Sequence, residues 1–184
     1  MIKLKDLLTE GKPSSIFVPR RMEDRVERLI KNYIRNGSKG GLWLNRVGLT
    51  KLPEILKNVS VDGNFSCYNN FLTSLENAPK SVDGDFYSSG NELTSLVGAP
   101  KTIGGDFYCS YNLLTSLEGA PKVVNGNFDC TYNKLTSLAG APKYVGGIFV
   151  CNNNPGNFTE DQVRAVCDVK GEVLALPLKN PKKS

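Results

Sequence analysis

Histidine is missing from all 184 residues. Its absence removes the commonest general base near neutral pH and the commonest zinc ligand. No stretch approaches the roughly 18 consecutive apolar residues of a membrane-crossing helix, so no membrane span is expected. The first residues lack the apolar core of a secretory signal, so export by that route is not expected either. No glycine-rich segment has the P-loop form that cradles phosphates, and no serine or cysteine has a histidine base to activate it. These absences leave no candidate for a catalytic, cofactor-binding or metal-binding residue, and the expected function is non-enzymatic.

Charge is present but uneven. Residues 1–41 carry ten Lys or Arg against five Asp or Glu, whereas residues 42–155 carry eight against nine. Residues 156–184 carry five against four. The basic character therefore belongs to the first forty residues and to the "KNPKKS" end, and the middle of the chain is close to neutral.

That middle is periodic. "LTSLENAPKSVDG" at 72–84 returns as "LTSLVGAPKTIGG", "LTSLEGAPKVVNG" and "LTSLAGAPKYVGG". Pro79, Pro100, Pro121 and Pro142 are 21 residues apart, as are Phe65, Phe86, Phe107, Phe128 and Phe149. A looser copy, "LWLNRVGLTKLP", precedes them. Six coils are expected, with strands beginning near Leu42, Phe65, Phe86, Phe107, Phe128 and Phe149. The pattern within a coil reads Phe-x-Cys-x-x-Asn-x-Leu-x-x-Leu, as at Phe107, Cys109, Asn112, Leu114 and Leu117. Phe and Cys two apart point to one side of a short strand, and the chain must then turn so that both leucines face inward. An inward Asn at the corner can bond the backbone of adjacent coils, so Asn70, Asn91, Asn112, Asn133 and Asn154 are expected to form a ladder. Stacking would bury Phe on Phe and Leu on Leu, which one coil cannot do alone.

This pattern resembles the leucine-rich-repeat family in its short bacterial and phage form, over residues 42–155. Phe and Cys stand where that family usually has strand leucines. The "GAPK" segment is too short for an outer helix, which implies narrow coils with extended or turn-like backs. The expected fold is a β-rich α/β solenoid with a capping helix at each end.

Four segments follow. Residues 1–18 form a leader or arm, 19–41 an N-terminal capping helix and turn, 42–155 the solenoid, and 156–184 a C-terminal cap with a basic tail. In the first cap, Met22, Val26, Leu29, Ile30, Tyr33 and Ile34 fall on one helical face, with Pro19 at the start and Gly37 at the stop. In the second, Thr159 and Gln162 have capping-box spacing, and Val163, Val166 and Cys167 form the expected buried stripe.

The candidate binding residues lie on the outward strand positions. One column reads Asn64, Asp85, Asp106, Asn127, Ile148. The next reads Ser66, Tyr87, Tyr108, Asp129, Val150, and the third Tyr68, Ser89, Ser110, Thr131, Asn152. Tyrosines with a few acids on a rigid sheet make a protein-binding surface of Asp85, Tyr87, Asp106, Tyr108, Asp129 and Tyr68. The competing reading is that Tyr and Thr simply favour strands. The acids argue against nucleic acid on that face.

Lys80, Lys101, Lys122 and Lys143 form a further column, either a harmless residue copied with each repeat or a contact for phosphate or an acidic partner. Arg20, Arg21, Arg25 and Arg28 on the first cap helix present the same choice, a solvated face or an anion contact. Weak nucleic-acid contact through the basic ends stays open. Cys67, Cys109, Cys130 and Cys151 share one inward column, with Ser88 in the gap, and read as packing rather than metal or redox chemistry.

"MIKLKDLLTEGK" resembles the capsid-targeting leaders of tailed phages that mature with a prohead protease. Leu8, Thr9, Glu10 and Gly11 fit the cut site of such leaders, which makes Glu10 and Gly11 the candidate processing site. The alternative is a docking helix whose Ile2, Leu4, Leu7 and Leu8 touch something apolar. The resemblance implies a virion component, either associated with the capsid or packaged in the head, that binds a phage capsid or host protein. The runner-up is a free effector or inhibitor in the host cytoplasm that binds a host protein.

Overall fold

The computed structural model describes residues 19–175, with side chains from residue 24 onward. In chain order, α1 (Pro19–Arg35) leads to β1 (Leu42–Trp43), a 3-10 turn (Glu54–Asn58), β2 (Ser60–Val61) and β3 (Phe65–Ser66). Then come β4 (Ser81–Val82), β5 (Phe86–Tyr87), β6 (Thr102–Ile103), β7 (Phe107–Tyr108), β8 (Val123–Val124) and β9 (Phe128–Asp129). The chain closes with β10 (Tyr144–Val145), β11 (Phe149–Val150), α2 (Glu160–Arg164), β12 (Asp168–Val169) and β13 (Val173–Leu174).

The strands form two parallel sheets. The front sheet runs β1-β3-β5-β7-β9-β11-β13 and the back sheet β12-β10-β8-β6-β4-β2. The molecule is therefore a parallel β-solenoid of about six coils. The expected 21-residue step is its rung repeat: Phe65 pairs with Phe86, Phe86 with Phe107, Phe107 with Phe128, and Phe128 with Phe149. Their rings stack with centroids 5.0, 5.2, 5.6 and 5.0 Å apart, and all five are fully buried. Each buried Phe contributes roughly 1.5–3 kcal/mol of transfer free energy, and no single coil could supply the enclosure.

Three findings differ from expectation. The coil backs are extended, as expected, but they also pair: Val82, Ile103, Val124 and Val145 turn inward from a second sheet. Residues 168–175, expected within a C-terminal cap, continue both sheets as β12 and β13. Ile34 and Val166 are exposed rather than buried. Ile34 lies in the last turn of α1, and α2 ends at Arg164, before helical periodicity can carry Val166 inward.

The corners demand special backbone. Gly105 must lack a side chain, because a Cβ there would lie 2.9 Å from the Gly84 carbonyl carbon and collide with Asp85 Oδ1. Gly119 sits at φ +84°, the left-handed region, against Leu96 and Val97 of the preceding coil.

Both helices pack on the common core. Val26, Leu29 and Ile30 of α1 are buried in it, and the helix ends where Gly37 takes φ 80°. Ser38 N then donates to Tyr33 O and Gly37 N to Ile34 O, the bonding of a glycine C-cap. At α2 the capping box is formed: Gln162 N donates to Thr159 Oγ1 at 3.3 Å, and Thr159 N to Gln162 Oε1 at 2.9 Å. Arg164 donates to Val169 O at 2.7 Å and Gly171 O at 3.0 Å, fastening α2 to the strand that follows. No described helix is long and apolar enough to cross a membrane.

Candidate protein-binding face

Two hydrogen-bond ladders hold the front sheet rigid. The first is the expected inward one. Asn112 Oδ1 accepts from Leu93 N at 3.0 Å, while its Nδ2 donates to Ser88 O and Cys109 O, each at 3.1 Å. Asn91, Asn133 and Asn154 repeat this in their own coils. Asn70 instead accepts from both Val47 N and Leu49 N at 3.0 Å, because Val47 fills the Asn position of the first coil.

The second ladder was not anticipated. Asp85 Oδ1 accepts from Asp106 N at 2.8 Å, and Asp106 Oδ1 from Asn127 N at 2.6 Å. Asn64 and Asn127 do the same for Asp85 N and Ile148 N. The remaining carboxylate oxygens take the tyrosines: Tyr87 OH donates to Asp85 Oδ2 at 2.7 Å and Tyr108 OH to Asp106 Oδ2 at 2.6 Å. Asp85 and Asp106 thus face outward as expected, but both carboxylates are engaged within the chain.

The outward columns are not equally open. Tyr87 and Tyr108 stack at 5.1 Å with planes 7° apart, and Trp43 reaches across the small Ser66 to stack on Tyr87 at 6.1 Å. Ser66, Ser110, Thr131 and Asn152 are buried rather than outward-facing surface. Burial and then the bond to Asp85 push the Tyr87 hydroxyl pKa up to about 12. For Tyr108 the bond to Asp106 leads and burial follows, and the shift is upward again. Tyr68 is held differently, with Arg46 over its ring at 5.2 Å and Arg46 Nη2 donating to its hydroxyl at 2.6 Å. Asp129 Oδ1 accepts from Thr131 N at 2.9 Å.

The structure does not bring the basic residues to this face. Lys80, Lys101, Lys122 and Lys143 lie exposed beside the back sheet, and none forms an ion pair among the described residues. Lys122 and Lys143 border an open depression of about 430 Å³ with Leu138 and Val166. On α1, Arg25 is half-buried and Arg28 exposed. The Arg20 and Arg21 side chains, Met22, and the candidate processing residues Glu10 and Gly11 lie outside what is described.

The cysteines are all free and buried. Burial pushes Cys67 and Cys151 up to about 12 and Cys167 to about 11, and raises Cys109 and Cys130 as well. At neutral pH they are thiols, not thiolates. Among the described residues no group of three or more Cys, Asp or Glu is placed to hold a metal ion.

Sequence reasoning missed the most exposed aromatic pair. Tyr111 and Tyr132 stack at 4.5 Å with planes 11° apart, 58% and 48% exposed. They occupy the corner column that Asn69, Gly90 and Asn153 share, where φ is positive throughout, at 54° and 51° for the two tyrosines. Asn and Gly tolerate that conformation and a bulky residue rarely adopts it. The available signal was a tyrosine interrupting a column of Asn and Gly.

No protein-family model matches the chain, and no curated protein matches it.

Proposed function

We propose that the chain is a non-enzymatic protein-binding solenoid of the leucine-rich-repeat type, with α1 and α2 as its end caps. The observation that carries this reading is the continuous aromatic strip Trp43–Tyr87–Tyr108 on the open side of the front sheet. Two internal ladders immobilise it, so a partner would order few side chains on binding. Stacked aromatics on a rigid support are the residues that most often dominate protein interfaces.

The resemblance of the leader to capsid-targeting segments supports a place in a tailed-phage particle, with the solenoid facing a capsid or host protein. Two experiments test the two parts. Mass spectrometry of purified particles should find the chain and should show whether it begins at Met1 or Gly11; its absence from particles ends the virion assignment. For the face, Tyr87 and Tyr108 are changed together to Ser, the residue at Ser66 of the same column. The affinity for a partner captured by the wild-type chain should drop at least tenfold with the circular dichroism unchanged. Unaltered affinity would refute the face.

A further inference from the structure

The stacked pair at the corner has one face covered and one open. Tyr132 covers the side of Tyr111 toward the fifth coil. The other side of Tyr111 is directed to the third coil, where the column residue is Gly90, which has no side chain of its own, and only the Asn69 carboxamide of the second coil reaches over it. Adjacent coils are about 4.8 Å apart, so a planar group at the level of Gly90 would lie within stacking reach of the Tyr111 ring.

The surroundings specify the kind of planar group. Asn69 directs its Oδ1 over Gly90, so that a Cβ there would collide with it, and that oxygen accepts no bond among the described residues. Glu92, two residues beyond Gly90, is exposed and forms no ion pair among the described residues. In the neighbouring coils, Phe71, 57% exposed, and the exposed Leu113 hold the positions equivalent to Glu92. The slot therefore combines an aromatic face, an amide oxygen, a carboxylate and two apolar flanks.

We infer that this slot receives the guanidinium of an arginine side chain from a basic segment of a protein partner. Its plane would stack on Tyr111, its N–H groups would donate to Asn69 Oδ1 and the Glu92 carboxylate, and its methylene stem would lie along Phe71 or Leu113. The molecule already contains an arginine stacked over a tyrosine, two coils away. Arg46, which holds the same column position in the first coil, lies over Tyr68 and donates to its hydroxyl. A nucleobase would also stack, but its phosphates would meet Glu92 and Asp129. A lysine lacks the planar fork. The inference rests on the proposed protein-binding reading and names the chemistry of the partner.

The test uses the full chain, isotope-labelled, and a blocked Gly-Gly-Arg-Gly-Gly peptide at millimolar concentration, with the lysine peptide beside it. The arginine δ-protons should move upfield under the Tyr111 ring current, and amide shifts should centre on Gly90, Glu92 and Tyr111. The lysine peptide should bind several-fold more weakly, because an ammonium makes the cation–π contact but lacks the stacking plane and the forked donors. Tyr111→Asn, which places in the column the residue already found at Asn69 and Asn153, should abolish the upfield shift, and Glu92→Gln should weaken binding about threefold. Equal binding of the two peptides, indifference to Tyr111→Asn, shifts centred elsewhere, or no shifts at all would overturn the slot. If the slot fails while the Tyr87 and Tyr108 double change still lowers partner affinity, the protein-binding face stands without it.

Discussion

Replacing Asn112 by Ala probes the inner ladder at the centre of the rod. The side chain is buried, accepts from Leu93 N, and donates to Ser88 O and Cys109 O. Truncation leaves one buried donor, Leu93 N, without its partner, while Ser88 O and Cys109 O each lose one of two donors and keep Asn91 Nδ2 and Asn133 Nδ2. At about 1–3 kcal/mol for the orphaned donor and about 0.5–1.5 kcal/mol for each of the two other bonds lost, the expected destabilisation is about 2–5 kcal/mol. That is a large part of the ~5–15 kcal/mol that holds a typical domain together. Urea unfolding followed by circular dichroism measures it, with Asn125→Ala as control; Asn125 is exposed and should change stability by less than about 0.5 kcal/mol. Asn112→Asp sharpens the test. A carboxylate accepts but cannot donate, so it faces two carbonyls it repels, and its pKa rises above the ~3.9 of an unfolded Asp. A group raised in the folded state favours folding at low pH, so the deficit of this variant should shrink as pH falls through that raised pKa. A loss below about 1 kcal/mol for Asn112→Ala would refute the view that these bonds hold the coils together.

Three further outcomes are expected. Gly119→Ala forces a Cβ at φ +84° against the Leu96–Val97 backbone and should cost more than about 1 kcal/mol in the same urea assay. The Tyr87 pKa is raised from the usual 10.0 to about 12, so its contribution is complete below pH 10 and is lost as pH rises toward 12; absorbance of tyrosinate should show a late ionisation, shared with Tyr33 and Tyr108, whose amplitude Tyr87→Phe lowers by one tyrosine. The five buried cysteines should resist a thiol-specific reagent in the native chain and react together on unfolding; rapid labelling of any of them without unfolding would contradict their burial.

The solenoid was legible because its constraints recur. Phe, Leu and Asn at fixed steps leave one arrangement that buries the first two and satisfies the third. The back sheet was harder to see because β4, β6, β8 and β10 each have two residues between a proline-containing turn and a glycine corner. That is too short for alternation to show, although Val82, Ile103, Val124 and Val145 are the inward half of it. The roles of Asp85 and Asp106 were hidden for another reason. Period-2 alternation assigns their Cβ direction correctly, but a short carboxylate can bend along the rod and bond the next coil. Tyr111 escaped notice because what sets it apart is a backbone angle, visible only as a bulky residue among Asn and Gly.

Differences between coils within this one chain separate support from surface. The buried columns scarcely vary: Phe from 65 to 149, Asn from 70 to 154, Leu from 72 to 135. Thr and Ser in "LTSL" are exposed or half-buried and also constant. For Ser the cause is local, since Ser74, Ser116 and Ser137 each accept from a backbone N–H two residues on. The outward columns vary freely, from Ser66 through Tyr87 to Val150 in one and from Asn69 through Gly90 to Tyr111 at the corner. A rod whose coils are locked from inside tolerates such changes. A residue of a variable column that bonds no neighbouring coil is therefore a mild replacement for its counterpart one coil away, Gly90 excepted because a Cβ there would meet Asn69 Oδ1, which allows binding to be altered without unfolding the rod. The lysine column, like the Thr column, is constant although exposed, from Lys80 to Lys143. Packing requires no lysine there, so its constancy has to come from the copying of the repeat or from an anionic contact on the back of the rod, apart from the aromatic face.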